Sequence, residues 1–179
     1  ANYRRRLADL GLPDLGALTL RVTGTYSIEQ TVSSPNSYNC VGLYGPTCSA
    51  GATYGPNFYW RHNARVTWMT PWDLDLSVQW RYLSGVKLDG NSSQPNLNAG
   101  AYDYADASIN AYNYFDFSMA WRPWDNYTFR LGCNNLFDKD PPLLNHNVVF
   151  FNNGGGNENT YSAYDLLGRE IFASFNVQF

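Results

Sequence analysis

Six segments of the sequence alternate apolar and polar residues with a period of two, and this pattern limits the fold more than any other feature. Successive side chains of a β-strand point to opposite sides, so the pattern is typical of strands whose two faces meet different surroundings. The segments lie at about residues 18–29, 58–68, 74–82, 115–122, 127–134 and 170–179. No segment has a convincing helical periodicity, and the sequence therefore predicts an all-β fold.

The connections between these segments alternate strictly between short and long. Residues 70–73 and 123–126 have the Pro, Asp and Asn of tight turns, whereas the linkers at about 32–57, 89–110 and 138–168 are long. A secreted water-soluble sandwich also alternates along its strands, but a compact soluble domain seldom carries three structureless loops of this size. Short turns on one side and long loops on the other are typical of antiparallel up-and-down transmembrane β-barrel strands, which is the fold that we predict.

Aromatic residues, 17% of the chain, cluster where the predicted strands meet the turns and loops. Trp and Tyr side chains favour the two membrane–water interfaces of a barrel. Those at or beside the short turns are Trp68, Trp72, Trp121, Trp124 and Tyr127, and those near the long loops are Tyr59, Trp60, Tyr82, Tyr112 and Tyr114. The placement predicts an aromatic girdle at each end of the wall, with the short turns on the periplasmic side.

The charged residues of the segments share the polar face. They are Arg21, Arg61, Arg65, Arg81, Arg122, Arg130, Asp75, Asp116, Glu29 and Glu170. A charge on the lipid side is costly, so this face is predicted to point to a wet or plugged lumen. Ion pairs and hydrated side chains explain the set more simply than a dedicated ligand site does. Phe172 is the one apolar residue on the polar side of the last segment.

Composition and spacing argue against several other functions. A net charge of −3 gives no basic footprint for nucleic acid, and no run of about 18 apolar residues would form a membrane-spanning helix. His62 and His146 have no Cys, Asp or Glu at metal-ligand spacing, and no Ser/His/Asp arrangement is recognisable. We therefore predict a chain that is not an enzyme, with no catalytic residue, metal site or cofactor.

Two motifs near the C-terminal end resemble those of a known family. Residues 132–142, GCNNLFDKDPP, resemble the stretch that ends the penultimate strand of TonB-dependent outer-membrane receptors, and residues 164–172, YDLLGREIF, resemble the segment that opens their last strand. The final Phe179 is similar to the terminal aromatic residue that outer-membrane proteins present to their assembly machinery. The prolines end β pairing, and the asparagines at 134–135 are expected to bond to nearby backbone, so the first motif is interpreted as structural.

The resemblance implies a segment of a larger barrel. Family members close barrels of about 22 strands around a plug, whereas this chain supplies six strands and an N-terminal strand stub at 1–7, followed by a turn at 9–16. The expectation is that residues 1–179 are the C-terminal segment of the barrel, without the plug domain and its TonB box.

The same resemblance implies a function in the outer membrane of a Gram-negative bacterium. A scarce ligand (siderophore, haem, cobalamin or glycan) would be bound and passed through the plugged barrel. The implied partners are outer-membrane lipid, the remainder of the barrel and plug, the TonB energy-coupling complex acting through the plug, and the barrel assembly machinery. The alternative is a small structural or adhesin-type outer-membrane barrel without transport.

Two sets of loop residues are candidate site residues. Cys40 and Cys48 lie in the first long loop, and in an oxidising compartment they are predicted to form a disulfide that leaves Cys133 free. Aromatic faces near the outer mouth suit sugars or apolar chelates, although tyrosine also belongs to the interface girdle. The candidate ligand-facing residues are Tyr38, Tyr44, Tyr54, Tyr102 and Tyr104.

Overall fold

The computed structural model describes residues 1–33, 37–49, 55–97, 106–144 and 160–178. The strands in these residues are β1 (Asn2–Arg6), β2 (Ala17–Tyr26), β3 (Thr31–Ser33), β4 (Ser37–Asn39), β5 (Leu43–Tyr44), β6 (Trp60–Met69), β7 (Leu74–Leu83), β8 (Val86–Leu88), β9 (Ser108–Ile109), β10 (Tyr112–Trp124), β11 (Tyr127–Asn134) and β12 (Glu170–Val177). Short 3-10 turns lie at Ala8–Leu10 and Asp89–Asn91. None of the helical turns in the described ranges has the length and apolarity to cross a membrane.

Seven strands form one antiparallel sheet in the order β1-β2-β6-β7-β10-β11-β12. Neighbours in this sheet follow one another along the chain, so the chain runs up and down across the wall. The connections on one side are short, at 7–16, 70–73 and 125–126, and those on the other side are long. The structure confirms the predicted antiparallel barrel-strand fold and shows that the N-terminal stub is a paired strand.

The register of the sheet separates an apolar face from a polar face. One row of directly paired residues crosses the whole sheet from β1 to β12, and its side chains are apolar except for one thiol. The row consists of Tyr3, Leu20, Val66, Val78, Phe117, Cys133 and Ile171. The next row contains the polar residues Arg21, Arg65, Gln79 and Asp116 in paired order. Because the side-chain period of a strand is two, a slip of one residue would bring the charged row to the apolar side. The register therefore confirms the two faces that the alternation predicts.

Aromatic rings cover the apolar face beside the short turn between β10 and β11. The centroids of Phe129 and Phe175 lie 4.6 Å apart in a stacked pair, and Trp121 lies 5.9 Å from Phe129. Trp124 and Tyr127 make an edge contact at 5.6 Å on either side of the turn itself. This cluster is consistent with an interfacial girdle on the short-turn side of the wall.

Phe172 lies on the polar face, as its place in the alternation predicts, because the strand beside it leaves room. Its direct partner on β11 is Gly132. A Cβ built at Gly132 would lie 2.2 Å from Phe172 Cζ, so the ring covers the glycine backbone. An aromatic ring that covers a cross-strand glycine is a known device for holding strand register.

The long connections, which we call the outer loops, contain more structure than the sequence predicts. β5 pairs with β8 in parallel, β8 pairs with β9, and β3 pairs with β4. A buried cluster beneath these strands contains Tyr44, Phe58, Val86, Leu88, Ile109, Leu144, Tyr161 and Tyr164, which we call the loop core. The expectation of structureless loops is therefore wrong for the described residues: strands of two or three residues carry no readable period, and their stability comes from contacts between loops.

Candidate ligand-facing wall and outer loops

An ion-pair network on the polar face joins two strands to the segment before the last strand. Arg81 on β7 donates from Nε and Nη2 to the two carboxylate oxygens of Asp116 on β10, each at 2.8 Å. The same Nη2 lies 2.9 Å from Asp165 Oδ2. A bidentate guanidinium–carboxylate pair fixes both position and orientation. The network confirms that ion pairs account for part of the predicted polar face, and it adds Asp165, which the sequence identifies only as part of a motif.

The first C-terminal motif builds a tight turn after β11. The fully buried Asn135 donates from Nδ2 to the Lys139 carbonyl at 3.0 Å, and its Oδ1 accepts from the Lys139 N–H at 2.8 Å. Its own N–H donates to Asp116 at 2.9 Å. Asn135 and Asp138 both have positive φ, at 49° and 54°, a conformation that Asn and Asp tolerate better than most residues. The structural interpretation of the motif is thus confirmed, except that the Asn134 side chain donates to Glu170 rather than to backbone.

The two motifs meet through Asp138 and Arg169. The Asp138 carboxylate accepts from the Arg169 backbone N–H at 2.7 Å, and the Arg169 guanidinium lies 3.3 Å from its other oxygen. The backbone hydrogen bond, followed by the guanidinium, lowers the pKa of Asp138 below its ordinary value. The pair joins the start and the end of the last long loop.

A disulfide and a buried carboxylate order the first long loop. Cys40 and Cys48 are bonded as predicted, with their Cα atoms 5.3 Å apart, and Cys133 is free. Asp89, from the second long loop, accepts at one oxygen from the backbone N–H groups of Thr47 and Cys48, at 2.7 and 2.8 Å. Burial raises the pKa of Asp89, and the Cys48 and Thr47 donors oppose that shift. A separation of 41 residues hides this contact from sequence reasoning.

Glycine at position 45 is required for this arrangement. A Cβ there would lie 2.5 Å from Asp89 Oδ1, and Gly45 has a φ of 132°. The carboxylate can therefore approach the first loop only where no side chain intervenes.

The predicted loop tyrosines fall into different places. Tyr44 is fully buried in the loop core, where its hydroxyl donates to the Asp106 carbonyl and its ring meets Tyr161 edge-on at 6.1 Å. In this conformation Tyr44 is a packing residue. Tyr38 is partly buried against the cluster of Cys40, Leu43, Cys48 and Leu97. A ligand-facing role for these side chains stays a prediction, and Tyr54, Tyr102, Tyr104 and Phe179 lie outside the described residues.

Arginines and acids are distributed unequally over the polar face. In β1, β2 and β6 the register places five arginines on this face and the strands contain no acid: Arg4, Arg6, Arg21, Arg61 and Arg65. In β7, β10, β11 and β12 the charged residues are Arg81, Arg122, Arg130, Asp75, Asp116 and Glu170. The first half of the sheet therefore carries unbalanced positive charge, and the second half has as many acids as arginines.

A hollow lies at the outer end of the arginine-rich half, against the ion-pair network. Its volume is about 270 Å³, and its lining includes Thr23, Thr25, Arg61, Asn63, Arg81 and Tyr114. Hydroxyl, amide and guanidinium groups on its wall are hydrogen-bond donors for oxygen-rich ligands. Among the described residues, no group of three or more His, Cys, Asp or Glu side chains is placed to hold a metal ion.

Comparison with solved structures shows that this sheet has a known fold. Three crystal structures of mutants of the ferric enterobactin receptor PfeA from Pseudomonas aeruginosa, one of them in complex with enterobactin, match with TM-scores of 0.56–0.60 and 17–18% identity. The matches cover 90–99% of this chain but only 20–22% of the receptor chains, so this chain spans about a fifth of their length. No protein-family profile and no curated protein matched the sequence. At this identity the comparison establishes the fold.

Proposed function

We propose, on the premise that this chain shares its fold with part of a ferric enterobactin receptor, that it forms barrel wall in a TonB-dependent outer-membrane receptor that takes up a nutrient. The observation that carries the proposal is the pairing register. Apolar side chains predominate on one face of the seven strands, where Arg5 of β1 is the charged exception, and the ion-paired and other charged rows occupy the other face. An outward apolar band with a polar interior is the arrangement of a transmembrane barrel.

The wall needs further strands to be stable in a bilayer. β1 and β12 are the outer strands of the described sheet, and each pairs on one side only. Unpaired backbone groups in hydrocarbon cost several kcal/mol each, about the figure for burying an unbonded amide. We infer that the rest of the barrel pairs with these edges, that residues 1–179 form its C-terminal segment, and that a plug fills it. Such a receptor would be driven by the TonB complex through that plug and inserted by the assembly machinery, for which Phe179 is the proposed signal.

The ligand would be one of the scarce nutrients that this family carries, namely a siderophore, haem, cobalamin or a glycan. The hollow beside Arg61 and Arg81 presents donor groups to the lumen. The long loops fold over the outer end of the wall through the loop core. Binding at this end followed by passage along the polar face requires no bond-making step, so we propose a transporter and not an enzyme.

Uptake in cells tests the proposal. The full-length protein that contains this wall is expressed in a Gram-negative strain lacking its own receptors, with and without functional TonB, and accumulation of labelled ferric siderophores, haem, cobalamin and oligosaccharides is measured. We expect one class to accumulate only where TonB is functional. Equal accumulation in both strains, or recovery of the protein outside the outer membrane, would contradict the proposal and favour a structural barrel.

A further inference from the structure

The arginine-rich half of the polar face has a charge arrangement that the wall itself does not need. Arg21 and Arg65 are directly paired across β2 and β6. Like charges in directly opposite positions destabilise a sheet. The described ion pairs of the chain are formed by Arg81, Arg122 and Arg169, and none of them includes Arg21 or Arg65.

Nearby side chains do not neutralise the charge of these arginines. Arg65 donates from Nε to the Gln79 amide oxygen at 3.0 Å, which orients the guanidinium without neutralising it. In the other half of the sheet, the fork of Arg81 on Asp116 and the pair between Arg122 and Asp75 compensate their charges within the wall. The unbalanced arginines are exposed on the polar face. They are therefore available to a partner that the described chain does not contain.

The five arginines form a strip that runs the height of the wall. Arg61 pairs with Thr25 near the outer end, Arg21 and Arg65 lie at mid-height, and Arg4 follows opposite Thr19. Arg6 pairs with Ala17 at the short-turn end, where it lines a hollow with Asp14. Two residues along a strand advance about 6.6 Å, so neighbouring guanidinium groups are separated by one or two such steps. A ligand with several anionic oxygens would therefore contact each arginine before it leaves the preceding one.

We propose that this arginine strip is a binding path for a multiply charged anion that moves along the barrel wall. The inference rests on the proposed function and narrows its substrate to a ligand that bears carboxylate, phosphate or phenolate oxygens. Guanidinium groups match such oxygens in a bidentate geometry. Conduction needs sites that attract the ligand but are numerous and weak enough to release it, and a strip of exposed arginines satisfies both conditions.

An acidic segment of the plug is the competing occupant of the strip. The continuous run from the outer hollow to the short-turn edge favours a moving ligand, because a fixed partner needs only those arginines that it touches. The two occupants differ in a measurable property. A mobile path is open to small reagents in the folded receptor, whereas a docked protein segment covers it.

Thiol reagents of opposite charge test the path in the full-length receptor in outer membranes. A single cysteine is introduced as Thr23→Cys, between Arg21 and Arg61 on the same face, in a Cys133→Ala background with other free thiols removed. Its rates of modification by an anionic and a cationic methanethiosulfonate are compared. The matched control is Ser118→Cys on the balanced half, and the ratio of the two rates cancels differences in accessibility.

We expect the anionic reagent to be favoured by about tenfold at position 23, from a few charges at roughly 7 Å in partly screened solvent, and by little at position 118. Arg21→Gln with Arg65→Gln should bring the ratio at position 23 close to one, and Arg130→Gln on the other half should leave it unchanged. Inorganic pyrophosphate, as a small polyanion, should slow modification at position 23 in the parent but not in the double variant.

Two results would overturn the path. A ratio near one at position 23 would mean that the strip exerts no anion-attracting field, and a thiol that reacts only after denaturation would mean that the plug covers it. Failure of TonB-dependent uptake with the reagent ratio intact would contradict the proposed function and leave the anion strip standing. Uptake of a neutral ligand alone, with a ratio near one, would contradict the anion strip and leave the proposed function standing.

Discussion

The wall and the outer loops bury their apolar side chains against different surroundings. Val66 and Val78, in the middle of their strands, are 45% and 46% exposed, whereas Tyr44 and Val86 in the loop core are 0% and 3% exposed. The wall therefore has no apolar core of its own on that face, and in the proposed barrel lipid would cover it. The loop core excludes water as an ordinary soluble domain does. In the proposed barrel, one chain therefore contains two regions whose stabilities depend on different media.

The largest expected effect separates the two faces of the wall with adjacent substitutions. Val78→Arg places a charge on the outward face near mid-strand, and we expect a loss of about 2–4 kcal/mol in the free energy of unfolding in a bilayer. Gln79→Arg places the same side chain on the polar face, directly paired with both Arg65 and Asp116. The charges of these two neighbours have opposite signs, so their effects on the new arginine partly cancel. This substitution should change stability far less. Denaturant titration of the full-length receptor in lipid vesicles measures both.

Equal losses for the two variants would contradict the assignment of faces. The same pair in a detergent micelle that shields the outward face poorly should differ less, because the cost of Val78→Arg comes from hydrocarbon. This dependence on the medium distinguishes a lipid-facing position from a crowded one.

The second effect concerns the outer loops and should be independent of lipid. Replacing Cys40 and Cys48 by Ser removes a cross-link with a sequence separation of 8. The chain-entropy account predicts a loss of about 2–3 kcal/mol for a loop of this length. Because the disulfide lies in the loop region, we expect faster hydrogen exchange at residues 37–49 with unchanged protection of β6 and β7.

Cys133→Ser is the matched control for this prediction, since Cys133 is the free cysteine and lies in the apolar row of the wall. It should leave exchange at residues 37–49 unchanged. Loss of protection in the wall strands after removal of the disulfide would show that the two regions unfold together and would break the comparison.

The sequence predicts the wall well and the loops poorly, for a physical reason. Each wall strand repeats the same alternation of apolar and polar residues, so the two faces and even the exceptional Phe172 can be inferred locally. The turn at Asn135 and Asp138 can likewise be inferred locally, because its contacts lie within one short stretch of the chain. The disulfide can be inferred from two nearby cysteines once an oxidising compartment is assumed.

Loop contacts between distant residues leave no such local signal. Asp89 meets Thr47 and Cys48 only because β5 and β8 pair in parallel, and two paired residues show no period. The sequence also does not show that the Tyr44 ring packs against Tyr161 of another loop within the loop core. The unequal charge of the two halves of the wall is present in the sequence, but it becomes visible only when the sheet order places β1, β2 and β6 side by side.

The smallest expected effect is a dependence of stability on pH that has opposite signs in the two regions. The pKa of Asp138 at the end of the wall is lowered from its ordinary 3.8, so its contribution to stability is present above that value and is lost as the pH falls through the folded-state pKa. The pKa of Asp89 in the loops is raised from 3.8, so its contribution is fully present below that value and is lost as the pH rises through the folded-state pKa.

Acidification should therefore act with opposite signs at the two carboxyl groups. After correction for intrinsic exchange rates, we expect the Thr47 and Cys48 amides to become better protected as the pH falls toward 3.8, and the Arg169 amide to lose protection below it. Asp89→Asn should remove the first change and Asp138→Asn the second, each without the other. Protection that changes in the same direction at both places would mean that a single global transition, and not the local setting of each carboxylate, governs the acid response.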